Sequence, residues 1–293
     1  MAVLANDTVR SDITEVVPAE RIEASLQQAN LPVPVFPTIA WADVVPPGTG
    51  STCNLPSVSA DTVPAGTKTE GDEFAGVTLD TSEVTITGGY VGYSRFISYE
   101  SIHDTAIDVV AVSTMTATRY IIDRLDTDGF VLNDSITEDE THAGIATTDE
   151  HILSAITKYN LLDAPAGQMV LVLNPKQIGD WALDISQSGG AYLGSDAESA
   201  RVASLTTVGQ GFKGVRHNCQ VYMSNNLPVA AGDATGILCI AGMFSPLAMR
   251  SWAPLRVQQQ DKPERQQVWL TYSVRYGVAL ANDNGVKIIT DGA

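Results

Sequence analysis

The stretch Gly209-Gln-Gly211-Phe-Lys-Gly214 matches the GxGxxG spacing of dinucleotide-binding loops. That chemistry needs the motif between a strand and a helix, so that the helix N-terminus faces the pyrophosphate. Here Val215-Arg-His-Asn-Cys-Gln-Val-Tyr222 alternates like a strand, which favours a glycine loop ahead of a strand. His142 and His151 flank the acids Glu138-Asp-Glu140 and Asp149-Glu150, an arrangement in which a cation site is conceivable. The spacing is not HExxH and fits no compact zinc pattern, so a solvated acidic loop is favoured. Asp126-Thr-Asp128-Gly129 matches part of a calcium loop but lacks the later Glu. His103 and His217 are isolated, no GxSxG occurs, and no Ser/His/Asp set assembles. The sequence therefore assigns no catalytic, cofactor-binding or metal-binding residue, and no cofactor.

Composition narrows the classes further. Hydrophobic residues make up 44% of the 293 and charged residues only 17%, giving ample core material under a lightly charged surface. Such a surface is expected to be covered in part by partners. The net charge of −17 argues against a nucleic-acid reader, which needs a basic stripe to neutralise phosphates. Cys53, Cys219 and Cys239 are odd in number and widely spaced, with no CxxC, so neither a disulfide framework nor a zinc site is expected. Cys219 and Cys239 lie in apolar strand-like segments and read as small buried hydrophobes. The N-terminal residues lack a secretory pattern, and no apolar run reaches the length of a membrane span.

The elements follow from periodicity and punctuation. Pro18 to Asn30 suits a short amphipathic helix. Leu31-Pro-Val-Pro-Val-Phe-Pro37 predicts an extended arm whose exposed Val33, Val35 and Phe36 need a surface to lie on. From Trp41 to Ser98 the chain is polar, strand-forming and punctuated by Pro and Gly, with little from which to build its own core. Val77, Leu79, Val84 and Ile86 predict a long hairpin turning near Asp80-Thr-Ser82. Ser101 to Asp126 carries a helical stripe that Asp128-Gly129 should end, and Asn133 to Thr148 reads as an acidic loop.

Beyond Asp149 the pattern is α/β. A helix to about Leu162 is followed by the buried strand Met169–Leu173, and Asn174-Pro175 opens a helix bearing Trp181. Gly214 to Ser224 reads as a strand, Asn225 to Pro228 as a turn, and Ile237–Ile240 as a buried strand. Pro246 to Trp252 is expected to be a short helix. Strands follow at Leu255–Gln260 and Gln266–Arg275, and Val278–Leu280 should pair with Val286–Ile289 across Asn282–Gly285.

This order of elements resembles the major capsid proteins of tailed bacteriophages, whose fold was first named for phage Hong Kong 97. Local phrases are similar too: Leu171-Val-Leu-Asn-Pro175 before a Trp-bearing helix, Ser224-Asn-Asn-Leu-Pro228, and Val274-Arg-Tyr-Gly-Val-Ala-Leu-Ala-Asn-Asp283 with Gly285-Val-Lys-Ile288. The resemblance implies an α+β chain. It would comprise an N-terminal arm (1–40), an extended β-hairpin E-loop with the first P-domain strands (41–98), and a long spine helix with a P-domain loop (99–148). An A domain (149–253) and returning C-terminal strands (254–293) would complete it. Some relatives crosslink an E-loop lysine to a neighbour's asparagine; Lys68 is the lysine available in this loop, but no residue marks the acceptor or the catalytic glutamate.

The resemblance implies a non-enzymatic shell protein forming hexamers and pentamers around double-stranded DNA, without sequence-specific binding and without a membrane. The arm (1–40) is too short for the fused scaffolding domain of some relatives, so scaffolding would be a separate protein or absent. Portal and decoration proteins would be the other candidate partners, and the subunit would be made in a bacterial cytoplasm and end in the virion capsid. Candidate contacts between subunits are Val33, Val35, Phe36, Lys68, Glu70, Asp72, Glu73, Arg119 and Arg124. Two other readings remain open: an encapsulin-like compartment with the same fold, and an α/β enzyme using residues 149–253.

Overall fold

The computed structural model describes residues 7–8, 34–48, 50–58, 81–104, 109–162, 167–188, 211–230 and 232–292. Two sheets carry the molecule. The first has the order β1-β5-β13-β12-β2, formed by Asp7–Thr8 (β1), Trp41–Val44 (β2), Gly89–Ser98 (β5), Leu247–Lys262 (β12) and Gln267–Leu280 (β13). β5, β13 and β12 are antiparallel neighbours, while β1 and β2 join the two edges in parallel. The second sheet runs β6-β14-β11-β7-β9-β8. Its strands are Asp139–His142 (β6), Met169–Leu173 (β7), Gly211–Arg216 (β8), Cys219–Met223 (β9), Asp233–Ile240 (β11) and Gly285–Asp291 (β14), with Val229–Ala230 (β10) appended to β11. Thr52–Val58 (β3) and Thr81–Thr87 (β4) form a separate antiparallel pair.

Alternation along the central strands divides the core. Leu171, Leu173, Leu238 and Ile240 face one way, beneath helices Asp149–Leu161 (α4) and Pro175–Ser188 (α5), where Ile152, Tyr159, Ile178 and Trp181 meet them. Val170, Val172, Ile237 and Cys239 face the other way. There they join Phe36 and Ile39 of a one-turn helix Phe36–Ile39 (α1), Leu125 and Phe130 of the helix Val109–Phe130 (α3), and Leu247 and Tyr276 of the first sheet. A strand buried on both faces must be apolar at every position, and Met169-Val-Leu-Val-Leu173 is.

The helix α3 lies on the first sheet through Ala117 and Ile121 against Ile97, Val268, Leu270 and Tyr272. Its threonines are accommodated because Thr114, Thr116, Thr118 and Thr127 each donate to the carbonyl four residues back. The short helix Tyr99–Asp104 (α2) precedes it, and residues 105–108 between them are outside the described set.

Several expectations need correction. Asp128-Gly129 does not end the long helix, which continues to Phe130 with Gly129 buried inside it. A Cβ at Gly129 would lie 2.5 Å from Phe36 Cγ and nearer still to two other ring carbons, so this glycine serves packing rather than capping. Residues 31–37 are not extended throughout, because Phe36 and Pro37 open α1; proline is tolerated in a first turn. The segment 133–148 is not all loop, since β6 pairs in parallel with β14.

Pro246 to Trp252 is not helical. Leu247 to Ser251 is sheet between β13 and, from Ala248, β2, with a register shift around Pro254, which has no N–H for the ladder. Val278–Leu280 and Val286–Ile289 are not hairpin partners either. The first pairs with Leu247–Met249 and the second with Thr235–Leu238 in the other sheet, so the turn at Asn282–Gly285 carries the chain between sheets. Gly214 to Ser224 is a tight hairpin turning at His217-Asn218, both with positive φ (48° and 63°), rather than one strand.

Candidate assembly surfaces

The arm is clamped to its own chain. Asp126, buried in α3, accepts hydrogen bonds from the backbone N–H of Val35 (2.9 Å) and of Phe36 (3.2 Å). Phe36 then packs edge-on against Phe130, centroids 5.7 Å apart at 82°. Burial pushes the Asp126 carboxyl up to about 6; the two backbone bonds pull it down without prevailing, and Asp123 adds to the rise. The sequence predicts Val35 and Phe36 to be exposed; instead they sit at 1% and 0% exposure, packed with residues of both sheets. Val33 and the expected leader helix at 18–30 lie outside the described residues.

The hairpin exists, in a different register from the one expected. Its stem pairs Thr52 with Thr87 through Val58 with Thr81, so Thr81-Ser82 are strand and no turn forms there. Leu55 and Ile86 anchor the stem beside Ala248. The base is pressed against the first sheet at Gly277, where a Cβ would meet the Thr87 carbonyl oxygen at 2.5 Å. Lys68, Glu70, Asp72 and Glu73 lie beyond the stem, outside the described residues. On the long helix, Arg124 is largely exposed and pairs with Asp128 one turn on (2.9 Å), and Asp128 also accepts from the Tyr276 hydroxyl (2.8 Å). Arg119 is half-buried on the same helix.

An exposed edge completes the surface. β2 flanks β12 at Ala248–Ser251; among the described residues no strand lies outside β12 beyond that point. Residues 254–261 are exposed on both faces, including Leu255 and Val257. Unpaired backbone edges with apolar side chains are sites of strand addition. The tip is braced by Lys262 over the Trp269 ring (4.7 Å) and by Phe96 edge-on to Trp269 (4.4 Å).

The chemistry-bearing residues fall elsewhere. Gly211 and Gly214 lie within β8, followed by a turn and β9 rather than a helix, so no dinucleotide cradle forms there; Gly209 is outside the described residues. Asp126, Asp128 and Gly129 are helical, not a calcium loop. His103 is exposed on α2. His217, unremarkable in sequence, donates from Nε2 to Asp149 Oδ1 (2.8 Å), which also accepts from Trp181 Nε1 (2.8 Å) and Arg216 Nε (3.4 Å). Burial tends to raise the Asp149 carboxyl, but the His217 and Trp181 bonds and the His217 and Arg216 charges bring it down to about 2. No spacing rule could have joined residues so far apart in the chain. Among the described residues no group of three or more His, Cys, Asp or Glu is placed to hold a metal ion, and no helix is long and apolar enough to cross a membrane.

No family model and no curated protein matches the sequence. Solved structures do match. The capsid of Cyanophage P-SCSP1u aligns with a TM-score of 0.66 at 12% identity, covering 96% of this chain and 95% of that one. The mature capsid of bacteriophage PhiM1 aligns at 0.65 and 12% identity (99% and 96%). A structure from Mycobacterium phage Ogopogo aligns at 0.66 and 13% identity (97% and 100%). At such identities the likeness is one of fold, and it spans nearly the whole of each chain.

Proposed function

We propose that this chain, which has the Hong Kong 97-type fold of phage capsid structures, is the major capsid protein of a tailed phage. It self-assembles into hexamers and pentamers of an icosahedral shell that encloses double-stranded DNA. Its role is structural rather than enzymatic, and its destination is the virion capsid after synthesis in a bacterial cytoplasm. The observation that carries this reading is the whole-length fold match, which covers 96% and 99% of this chain in the two capsids and so is not confined to one portable domain. Physical chemistry supports it. The bare edge of β12, with Leu255 and Val257 exposed on it, would be an aggregation hazard on a lone monomer, whereas a closed shell buries such edges through many weak repeated contacts.

In this reading the E-loop region (41–98) contacts a neighbouring copy, with Lys68, Glu70, Asp72 and Glu73 as candidates for pairing with its charges and Arg124 and Arg119 of the long helix as candidate counterparts. The net charge of −17 would let packaged DNA slide on the inner wall rather than stick to it. Separate scaffolding, portal and decoration proteins fit the same scheme. Electron microscopy of the purified recombinant chain tests the proposal. Uniform polyhedral shells or capsomer rings are expected, and shells recovered from infected cells should hold nuclease-protected DNA. A strictly monodisperse monomer at high concentration would count against shell formation, and shells holding only cargo protein would favour a compartment instead.

A further inference from the structure

Three of the chain's four histidines gather around the first turn of α4. His142, the last residue of the edge strand β6, lays its ring flat on that of His151, with centroids 3.7 Å apart and planes 9° from parallel. His142 Nε2 donates to Glu140 Oε1 (2.8 Å). Glu140 is buried, and its other oxygen meets Lys158 Nζ (2.7 Å), which also donates to the Asp139 carbonyl (2.6 Å). His151 occupies the third position of α4 and completes a capping box. Its N–H donates to Thr148 Oγ1, and its Nδ1 accepts from the Thr148 N–H, both at 3.4 Å. The usual residue in that role is Glu or Gln, whose oxygen accepts whenever it is unprotonated. A histidine accepts there only while Nδ1 is free of a proton.

Protonation therefore acts on three things at once. A proton on His142 has the Glu140 carboxylate as its counterion. A second, on His151 Nδ1, removes the cap acceptor, stacks one cation on another and places positive charge at a helix N-terminus, where the dipole opposes it. Every facing group enters this balance. Glu140 on β6, Glu150 on α4 and Asp184 on α5 draw charge onto His151, while burial and His142 resist it, and resistance prevails: His151 titrates below the usual histidine range. Lys158 faces Glu140 rather than the rings.

We propose that the stacked His142–His151 pair is an acid-released latch, joining edge strand β6 to the first turn of α4 while both rings are neutral and letting go when both carry a proton. Release loosens the turn that contains Asp149, and with it the carboxylate that ties Trp181, Arg216 and His217 together. Because the folded state resists the proton, the latch contributes its full stability above the ordinary histidine pKa of about 6.5 and loses it as pH falls from there through the lower folded value.

The test is amide hydrogen exchange of the full chain between about pH 7.5 and pH 5, corrected for the intrinsic pH dependence. His151→Gln keeps a cap acceptor and abolishes the titration; His142→Phe keeps the ring face and removes the neighbouring charge. In the unaltered chain the amides of 149–153 should lose protection about fivefold on acidification, as for a lost cap. His151→Gln should show a flat profile, and His142→Phe should move the midpoint to higher pH. An equal loss in the unaltered chain and His151→Gln overturns the latch. So does an unmoved midpoint in His142→Phe, which keeps the test decisive should His151→Gln fail to fold.

Discussion

Replacing Gly129 with alanine should destabilise this chain, although alanine is the better helix former. Position 129 lies inside the long helix, where exchanging glycine for alanine ordinarily gains about 1 kcal/mol. The added Cβ, however, would fall within 2.5 Å of the Phe36 ring, far inside any tolerable contact. Phe36 is fully buried and packs edge-on against Phe130, so displacing its ring disturbs that pair. Expelling a buried phenylalanine costs about 3–5 kcal/mol, with about 1 kcal/mol more for the aromatic pair. The helix-propensity gain and the aromatic-pair loss cancel, so the net expectation is a loss of roughly 3–5 kcal/mol, or about 6–20 °C in melting temperature for a chain of this size.

The decisive assay is a double-mutant cycle followed by thermal or denaturant unfolding. In a Phe36→Ala background the clash is gone, so Gly129→Ala should change sign and stabilise by about 1 kcal/mol. Equal effects of Gly129→Ala in both backgrounds, or a gain in the unaltered chain, would refute the packing argument. In that case Gly129 would be a matter of helix propensity alone.

Three further outcomes are expected. Asp126 has its folded-state carboxyl raised from 3.8 to about 6, so between those values the folded form holds a proton that the unfolded form lacks; stability at this group should rise as pH falls through about 6, by up to about 3 kcal/mol, and Asp126→Asn should remove that slope from the unfolding free energy. Asp149 is shifted the other way, to about 2, so its stabilisation is present above about 4 and lost as pH falls toward 2; Asp149→Asn should flatten that acid limb, by no more than about 1–2 kcal/mol because the group is partly exposed. Gln177 is fully buried; its Oε1 accepts from Asn174 N–H and its Nε2 donates to the Ala234 and Ile288 carbonyls and to Thr290 Oγ1, so Gln177→Leu should cost about 3 kcal/mol or more, read as a fall in denaturation midpoint.

Much of the architecture was legible because it is written locally. The run Met169–Leu173, the Asn174-Pro175 helix start and the helix after Thr148 depend on neighbouring residues, and each formed where periodicity and capping placed it. Strand partners were less legible. The Asn282–Gly285 turn has the residues of a hairpin, yet its flanking strands enter different sheets, pairing with β12 and β11, which lie far off in the chain. The candidate contacts divide similarly: Val35 and Phe36 looked like an exposed arm until the Asp126 clamp, ninety residues away, gave them a home in the chain's own core.

The sequence by itself determined the apolar material of the core and the elements with strong local signals, such as the strand Met169–Leu173 and the helix opened by Asn174-Pro175, because these rest on residue type and short-range period. Tertiary structure alone decided which glycines serve close packing, where Gly129 meets Phe36 and Gly277 meets Thr87. It also decided that two histidines nine positions apart stack face to face, and that Asp149 gathers Trp181, Arg216 and His217. Those contacts join residues on different elements of the fold, and no pattern confined to one segment encodes them.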